Sequence, residues 1–345
     1  MAAFVDLYSD TKTRPTAAMR KAMAEAEVGD EQAFEDPTVN ELVEAVALLL
    51  GKEAAVFLPS GTMANEIAYR VHVRPGEEII LDRTGHAVDS ETGGPAALAG
   101  AMLRTIEGDR GIFTAEQVEA AIRPPNRHSP RSRLVSVENT SNFGGGSVWP
   151  LETLDEVCAT AKRHGLATHL DGARLMNAVV AGNHAAARIC QGFDSCWLDF
   201  SKGLGAPVGA ALAGSRDFID EAWRLKQQMG GAMRQAGIIA AGALHGLRHH
   251  VDRLALDHAN ARRLAEGLAE LPGIAIDPTR VETNILFFDI TRPGLSARAF
   301  DDGLKEHGVR MGAVGPGRVR AVTHLDVDRD GIDRALRAAR AVLVG

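Results

Sequence analysis

The sequence predicts an α/β protein with a mostly parallel sheet and a smaller second domain. Through the middle of the 345-residue chain, short apolar runs alternate with longer segments of helical periodicity, as crossover helices between parallel strands require. After Gly237 a long helical stretch ends at Pro272-Gly273 and is followed by strand, helix, strand, strand and helix. We expect a large sheet domain over residues 46–248 and a small α/β domain over 249–345, with residues 1–45 joining the small domain.

Seven short apolar runs are the candidate strands of the large domain, which predicts a seven-stranded sheet. Each run is about five residues long, the usual length of a strand in a globular protein. In chain order they are Ala54–Leu58, Glu78–Asp82, Met102–Ile106, Arg133–Glu138, Ala167–Asp171, Ser195–Phe200 and Val208–Ala213.

Helices are predicted between most of these strands. The clearest helix begins at Asp36-Pro37, an N-cap residue followed by proline in the first turn, and its apolar face stops at Gly51. Thr114 and Gln117 have the spacing of a capping box at the start of another helix. These signals agree with strands that are joined by helical crossovers.

The composition excludes several classes of protein. Apolar residues make up 45% and charged residues 24% of the chain, ordinary values for a soluble globular protein. A net charge of -7 argues against a nucleic-acid partner, and no apolar stretch is long enough for a membrane span or a signal peptide. The three cysteines, Cys158, Cys190 and Cys196, form no metal or redox motif. We therefore expect a cytoplasmic protein with no metal.

Ligands of an open parallel sheet bind at the carboxyl ends of the strands. One informative ending is the small-residue turn Ser60-Gly61-Thr62, where free backbone N–H groups at a helix start suit a phosphate. Taken alone, it is also an ordinary turn with a capping hydroxyl. A second ending places Asp171 at the tip of an apolar strand, where it needs a partner, either a ligand or Arg174.

The third ending is Lys202, which stands between an apolar strand and the glycine-rich loop Gly203–Gly209. An amine at this place can act as a nucleophile, and the glycines allow a ligand to approach the backbone closely. A solvated surface lysine is the alternative. Together the three endings call for one ligand with a phosphate, a ring nitrogen and an aldehyde, and pyridoxal phosphate (PLP) has all three groups.

The chain resembles the low-specificity L-threonine aldolases, which are PLP-dependent enzymes of fold type I, the fold of aspartate aminotransferase. The resemblance extends through essentially the whole chain and is carried by many segments in the same order. These segments are DLYSDTKTRPTAAM, GDEQAFEDPTVNEL, GKEAAVFLPSGTMAN, HAVDSETGG, RLVSVENTSNFGGG, HLDGARLMNAVV, FSKGLGAPVG, GGAMRQAG and VRAVTHLDV.

The resemblance implies how the chain holds PLP. Lys202 would form the internal Schiff base, and Asp171 would keep the pyridinium nitrogen protonated. Ser60, Gly61 and Thr62 would bind the phosphate. The protonated ring then accepts the electron pair of a broken bond at the substrate Cα.

Further residues are assigned to the substrate side by the same resemblance. His86 would stack on the ring near the substrate hydroxyl, His128 would be the second histidine near that hydroxyl, and Glu91 would contact the cofactor or orient a histidine. The alternatives are a capping or solvent-facing role for His86, a solvated loop position for His128 and an exposed helix position for Glu91.

Carboxylate recognition suits the planar guanidinium group of arginine. Arg174 and Arg320 match the arginines that bind the substrate carboxylate in the family, with Ser9 as a supporting hydroxyl. Arg234 matches a residue that reaches the phosphate from a neighbouring subunit. The resemblance therefore implies active sites at a subunit interface of a homotetramer, a dimer of dimers. Structural ion pairs are the alternative for Arg174 and Arg320, and a surface arginine at the start of a helix is the alternative for Arg234.

The expected reaction is retro-aldol cleavage of an L-3-hydroxy-α-amino acid, such as L-threonine or L-allo-threonine, to glycine and an aldehyde, here acetaldehyde. Three departures from the family pattern fall near the aldehyde side: Ala33-Phe34 replaces a tyrosine and glycine, Ser141 replaces a histidine, and Gln227 replaces a lysine. Phenylserine or 3-hydroxyaspartate is therefore an alternative substrate.

Two other classes of function are compatible with this fold and cofactor. A β-eliminating lyase or an aminotransferase would use the same cofactor to break a different bond. A non-catalytic regulator of the same fold is disfavoured, because Lys202 and Asp171 are present and no DNA-binding segment is appended. His245, His249 and His250 have a helical spacing that could hold a metal through two of them, but a solvated helix face is the preferred interpretation.

Overall fold

The fold is that of a computed structural model, which describes residues 4–344. Its strands are β1 (Val5–Asp6), β2 (Ala54–Leu58), β3 (Glu78–Asp82), β4 (Met102–Ile106), β5 (Ser132–Glu138), β6 (Ala167–Asp171), β7 (Ser195–Asp199), β8 (Ala210–Gly214), β9 (Ile274–Ala275), β10 (Ile285–Ile290), β11 (Val309–Arg310), β12 (Gly312–Ala313) and β13 (Arg318–Val322). Its helices are α1 (Ala17–Ala24), α2 (Pro37–Leu50), α3 (Gly61–His72), α4 (His86–Asp89), α5 (Gly94–Leu98), α6 (Ala115–Ala121), α7 (Leu151–Arg163), α8 (Leu175–Gly182), α9 (Ala186–Cys190), α10 (Arg216–Gln228), α11 (Gly237–His249), α12 (Leu254–Ala269), α13 (Ala297–Glu306) and α14 (Arg329–Val344).

The large sheet has seven strands in the order β2-β8-β7-β6-β5-β3-β4. β8 runs antiparallel to both of its neighbours, and the other pairs are parallel, so the predicted mostly parallel sheet is confirmed. The predicted strands differ from the observed ones only at a few ends. β8 begins at Ala210 rather than Val208, because Gly209 has φ +116 and lies outside the β region.

Apolar side chains cover both faces of this sheet. Along β2, Ala55 and Phe57 pack into one cluster with α2 and α7, while Val56 and Leu58 pack into another with α3 and α10. This alternation follows from the two-residue period of a strand. Helix α2 starts and ends as predicted, with the Asp36 side chain accepting from Val39 N and Gly51 in the left-handed region. The result is a sheet between two helical layers.

The small domain is built on an antiparallel sheet in the order β12-β13-β10-β9. Helices α12, α13 and α14 supply its apolar cover, and β1 pairs in parallel with β11. The predicted order of strand, helix, strand, strand and helix differs from the observed one in two places: the two-residue strand β9 precedes β10, and three strands, β11, β12 and β13, rather than two lie between α13 and α14. The long helical stretch predicted after Gly237 is two helices, α11 and α12.

The N-terminal segment divides between the two domains. Val5 and Leu7 pack into the small-domain core, whereas Met19 and Leu42 belong to the main cluster of the large domain. The predicted boundary at residue 45 therefore falls inside α2, and the one at 248 falls inside α11. The chain crosses from the small domain to the large one soon after β1.

No helix within residues 4–344 combines the length and the apolar character that a membrane crossing requires.

Candidate active site

A pocket of about 440 Å³ lies at the carboxyl ends of the large-domain strands, where the small domain meets them. The three predicted strand endings come together in its wall: Ser60–Thr62 after β2, Asp171 at the end of β6 and Lys202 after β7. Arg320 of β13 adds the small-domain side. The remaining site residues in the wall are Ser9, His86, Glu91, Glu138, Asn142, Phe143, Arg174, Trp197 and Asp199.

Lys202 reaches into this pocket from the tight turn after β7. Its Nζ is paired with Asp199 Oδ2, and it lies 5.7 Å from the centroid of the Trp197 ring. The other carboxylate oxygen, Asp199 Oδ1, accepts from Ser201 N at 2.8 Å and from Ser201 Oγ at 2.7 Å. The lysine side chain keeps 19% of its surface exposed, so it is held in place but remains accessible from the pocket.

Asp171 is buried, and no lysine or arginine within residues 4–344 forms an ion pair with it. Its Oδ1 accepts from Ala173 N at 3.0 Å and its Oδ2 accepts from Asn65 Nδ2 at 2.8 Å. Burial raises the pKa of Asp171, and the charge of Glu91 adds to that rise. The alternative of an ion pair with Arg174 is wrong, because Arg174 binds Asp10 instead. An additional donor from a ligand would stabilise the Asp171 carboxylate.

Asn65 connects the acids of the site with a buried histidine. Its Nδ2 donates to Asp171 and, at 2.8 Å, to Glu91 Oε1, while its Oδ1 accepts from Trp197 Nε1 at 2.8 Å. His169 Nε2 lies 3.1 Å from the same Oδ1. Because this oxygen can only accept, His169 carries its proton on Nε2. Burial lowers the pKa of His169 well below its ordinary value, so the ring is neutral.

The turn Ser60-Gly61-Thr62 forms the N-terminus of α3. The Ser60 hydroxyl accepts from Met63 N at 3.2 Å, which is the capping role given above as the alternative. The amides of Gly61 and Thr62 donate to no acceptor among the described residues, so they can bind an anion. A Cβ atom at Gly61 would collide with the Trp197 ring, which explains why the turn needs glycine there.

His86 begins α4 and is oriented by Glu91. His86 Nδ1 lies 2.8 Å from Glu91 Oε1, and this hydrogen bond is the largest of the causes that raise the pKa of His86. Since the Glu91 carboxylate can only accept, His86 keeps a proton on Nδ1. In the neutral ring, Nε2 is then the nitrogen that can take a proton from a ligand.

The two arginines have different surroundings. Arg174 Nε and Nη2 each donate to Asp10 at 2.7 Å, a buried bidentate pair. Burial opposes the ionisation of Asp10, but the charge and hydrogen bonds of Arg174 outweigh it and hold the pKa of Asp10 below its ordinary value. Arg320 Nε is buried and has no hydrogen-bond partner among the described residues, and burial together with the charge of Arg174 lowers the pKa of Arg320 to about 10. This N–H group is thus available to an acceptor on a ligand.

Glu138 is a site residue that the sequence interpretation missed. It ends β5 next to Asp171 of β6, and it accepts from His86 N at 2.8 Å and from Asn142 N at 2.6 Å. Burial, followed by the charge of Asp171, raises the pKa of Glu138 to about 7. An acid at the end of an apolar strand was the signal that identified Asp171, and the same signal could have identified Glu138 and Asp199.

Two predicted site residues lie away from the pocket of their own chain. His128 is exposed in the loop before β5, at the opposite end of that strand from Glu138. Arg234 pairs with Asp30 at 2.7 Å, and its side chain is 63% exposed. A single chain therefore does not bring either residue to Lys202. Ser9, by contrast, lines the pocket and accepts from Thr11 Oγ1 at 2.9 Å.

Comparison with known proteins places this geometry in a family. A model of the beta-eliminating lyase family matches residues 6–291. The low specificity L-threonine aldolase of Escherichia coli (strain K12) is 42% identical over 340 residues, with 98% of this chain and 99% of that protein covered. The low-specificity L-threonine aldolase 1 of Arabidopsis thaliana is 42% identical over 326 residues, with 93% of this chain and 91% of that protein covered. The chain belongs to the low-specificity L-threonine aldolase family.

The fold of this aldolase-family chain is shared with solved structures. A structure described as the threonine aldolase of Leishmania major superposes with a TM-score of 0.84 at 22% identity, covering 98% of this chain and 99% of that one. Structures that carry PLP have the same fold. The predicted fold type I is confirmed, and so is the family that the sequence motifs indicated.

The residues of the pocket fit PLP in this aldolase-family chain. Among residues 4–344, Asp171 is a buried carboxylate without a cationic donor, and the amides of Gly61 and Thr62 have no acceptor. Lys202 supplies the accessible amine that an aldehyde requires. These three unmet requirements match the ring nitrogen, the phosphate and the aldehyde of one molecule.

Proposed function

We propose that this protein uses PLP to cleave L-3-hydroxy-α-amino acids, including L-threonine and L-allo-threonine, to glycine and an aldehyde, which is acetaldehyde for these two substrates. The observation that carries the proposal is the single pocket that contains Lys202, Asp171, His86 and Arg320. The relatives at 42% identity, which are named as L-threonine aldolases, support the choice of substrate.

Each residue of the pocket has a definite role in this proposal. When bound, PLP supplies an electron sink that allows a bond at the substrate Cα to break. Lys202 would hold the cofactor, and Asp171 would keep its ring nitrogen protonated. Arg320 would bind the substrate carboxylate through its unpaired Nε, with Arg174 beside it and Ser9 in support.

The proton of the substrate hydroxyl has a candidate acceptor in His86. Its Nδ1 proton is committed to Glu91, so Nε2 is the free position in the neutral ring. A base at this position would take the hydroxyl proton as the bond between Cα and Cβ breaks. Loss of the Nδ1 partner would therefore disturb both the tautomer and the direction of the ring.

The test is to mix the purified holoenzyme with L-threonine and with L-allo-threonine and to follow acetaldehyde through a coupled NADH assay. Acetaldehyde formation that is lost in Lys202→Ala would support the aldolase. Lys162→Ala, which changes a lysine of α7 outside the pocket, is the matched control and should remain active. Ammonia and a keto acid without acetaldehyde would indicate elimination and would contradict the proposal.

An aromatic substrate is the second candidate, and one contact favours it. Phe143 lines the pocket and is 41% exposed. The phenyl ring of phenylserine would pack against the Phe143 ring, and this contact would stabilise the binding of phenylserine. In Phe143→Ala, kcat/KM for phenylserine should fall more than kcat/KM for threonine. Equal losses for the two substrates would argue against this contact.

We also infer that the complete site needs more than one subunit and that the protein is a homotetramer. The support is that Arg234 and His128 lie outside the pocket of their own chain, while the family resemblance assigns both to the site. Light scattering would give the assembly size. Inactive Lys202→Ala and Arg234→Ala proteins, refolded together, should regain about a quarter of the native activity, because mixed dimers have one intact site. No regain would contradict a contribution from the neighbour.

A cytoplasmic location is the last part of the proposal. Its support is the state of the three cysteines, Cys158, Cys190 and Cys196, which are all buried free thiols, as a reducing compartment favours. Fractionation of the producing cells with marker enzymes would test it.

A further inference from the structure

Two buried carboxyl groups lie behind His86 and have unusual surroundings. Glu66 belongs to α3 and is 2% exposed, and Glu91 follows α4 and is 5% exposed. Both oxygens of Glu66 and the Oε2 atom of Glu91 have no hydrogen-bond partner within residues 4–344. Buried ionised oxygens without donors are costly, so this arrangement requires an explanation.

The two side chains lie against each other. Glu66 is within hydrogen-bonding reach of Glu91. On its other side, Glu66 packs against the backbone of Gly94 so closely that a Cβ atom there would collide with the carboxyl group. Two buried carboxylates at this range repel each other strongly, and one proton placed between them removes the repulsion.

The contacts decide which group carries the proton. Glu91 Oε1 accepts from Asn65 Nδ2 and from His86 Nδ1, both at 2.8 Å, and these donors stabilise the Glu91 anion. Glu66 has no such donor. Burial and then the charge of Glu91 raise the pKa of Glu66 to about 8. Glu66 is therefore the protonated member of the pair near neutral pH.

The other ionisable groups near α3 either are exposed to solvent or already have hydrogen-bond or ion-pair partners. Helix α5 and strands β2 and β8 carry none, and the ionisable side chains of α10 other than Lys226 are exposed. The acidic and basic groups on the remaining packed strands, the buried lysine and Tyr69 of α3 have their own partners: Asp171 and His169 bind Asn65, Glu138 binds two backbone amides, Arg133 binds Glu77, Asp199 binds Lys202, Lys226 binds Glu31, and the Tyr69 hydroxyl lies 3.2 Å from Ser136 Oγ.

We propose that Glu66 is a positioning residue, whose protonated carboxyl donates a hydrogen bond to Glu91 Oε2 and so holds Glu91 and His86 in their working orientation. The donor completes the contacts of Glu91, which then has one partner on Oε2 and two on Oε1. Loss of this proton leaves two facing anions and displaces the acceptor of His86 Nδ1. The kinetic consequence of this role rests on the proposed aldolase function.

The kinetic test compares the holoenzyme with Glu66→Gln and Glu66→Leu between pH 6.5 and 9.5. The Gln amide donates at every pH, so at pH 7 its kcat/KM should remain within about threefold of the native value, whereas Leu leaves Oε2 without a donor and should lose about tenfold. Above about pH 8 the native enzyme loses its proton. The ratio of Glu66→Gln to native activity should therefore rise with pH. A constant ratio, or equal losses in both variants, would overturn the proposal.

A matched control separates this effect from a general loss of stability. Glu78 is also buried, but it lies at the start of β3 and is paired with Arg123 at 2.8 Å, away from the pocket. Glu78→Gln should lower the melting temperature and leave the shape of the pH profile unchanged. A changed profile in this variant would show that the profile reports stability rather than the Glu66 proton, and would overturn the assignment.

Thermal unfolding provides a second readout that does not need a substrate. The pKa of Glu66 is raised on folding, so its stabilising contribution is complete below about pH 4.5 and is lost as pH rises through about 8. Glu66→Gln cannot lose this proton. The melting temperature of the variant minus that of the native holoenzyme should therefore increase from pH 5.5 to pH 8.5. A pH-independent difference would overturn the shared proton even if cleavage is normal. Absence of cleavage with the expected thermal trend would instead contradict the proposed function.

Discussion

Two lysines of this protein have the same kinds of neighbour and opposite roles. Lys226 of α10 is fully buried, with its Nζ 2.8 and 3.0 Å from the two oxygens of Glu31 and 4.1 Å from the centroid of the Trp223 ring. Lys202 also pairs with an acid and lies near a tryptophan, but it contacts one oxygen of Asp199, and its Trp197 ring is 5.7 Å away. Of these two lysines, Lys202 lines the active-site pocket and Lys226 does not.

The difference lies in what remains available to each amine. The Lys226 amine binds both carboxylate oxygens of Glu31, and Glu31 also accepts from Met233 N. Both side chains are fully buried, so the Lys226 amine is not accessible to a ligand. Lys202 keeps part of its surface exposed on a glycine-rich turn. An acid and an aromatic ring beside a lysine therefore do not identify a reactive amine. Access from the pocket does.

The largest effect is expected when the accessible lysine is removed. Lys202→Met should lower kcat by about 10⁴-fold, because it removes the amine that would hold the cofactor, which is a loss of about 5.5 kcal/mol in the barrier. The variant should lose less unfolding free energy than Lys226→Met, because Asp199 keeps its two hydrogen bonds from Ser201. Acetaldehyde release and differential scanning calorimetry measure the two quantities. Substantial activity in Lys202→Met would show that this amine is not required for catalysis, and would contradict the different roles assigned to the two lysines.

Substitution of the buried Lys226 by methionine should lower the stability of the fold rather than the activity. Lys226→Met leaves Glu31 buried without its cation, which costs about 3–5 kcal/mol of unfolding free energy. The kcat per folded active site should stay near the native value, since Lys226 does not line the pocket. Urea unfolding and active-site titration with PLP provide the measurement. Unchanged stability would show that the buried pair contributes little.

A double variant sharpens this prediction. Glu31→Gln together with Lys226→Met removes the uncompensated charge and keeps an acceptor for Met233 N. We expect it to recover at least about 2 kcal/mol relative to Lys226→Met alone, because an unpaired buried carboxylate is the main cost. If the double variant is no more stable than the single one, lost packing rather than charge explains the effect.

The smallest effect concerns the aromatic neighbour. Trp223→Leu removes the ring below Lys226, and a partly desolvated cation–π contact is worth about 1–2 kcal/mol. The loss should be smaller in a Lys226→Met background, where no cation remains. Equal losses in both backgrounds would assign the effect to packing alone.

Much of the fold could be predicted because its strands are short apolar runs with clear ends. The runs at Ala54–Leu58 and Ala167–Asp171 match β2 and β6 residue for residue. The division of the N-terminal segment could not be predicted in the same way. Met19 and Val5 are both apolar, and nothing local to either residue shows that one packs on the large domain and the other on the small one.

The residues of the candidate site also fall into those that the sequence predicts and those that it does not. Asp171 and Lys202 could be found because the carboxyl ends of parallel strands meet at one edge of the sheet. Asn65 was missed because it lies on a helix, and its contact with Asp171 spans a sequence separation of 106 residues. Glu66 was missed for the same reason, since a glutamate in a helix is usually solvated. Its burial depends on where α3 packs.

The pairing of β1 with β11 has a consequence for how the protein is made. Val5 lies opposite Val309, and Asp10, a few residues later, binds Arg174 and Asn284 in the interior. Because a ribosome releases the chain from its N-terminus, the first strand emerges long before its partner exists. Strand β1 must therefore stay unpaired until β11 has been synthesised, and the contact of Asp10 with Arg174 and Asn284 is completed only after Asn284 has emerged.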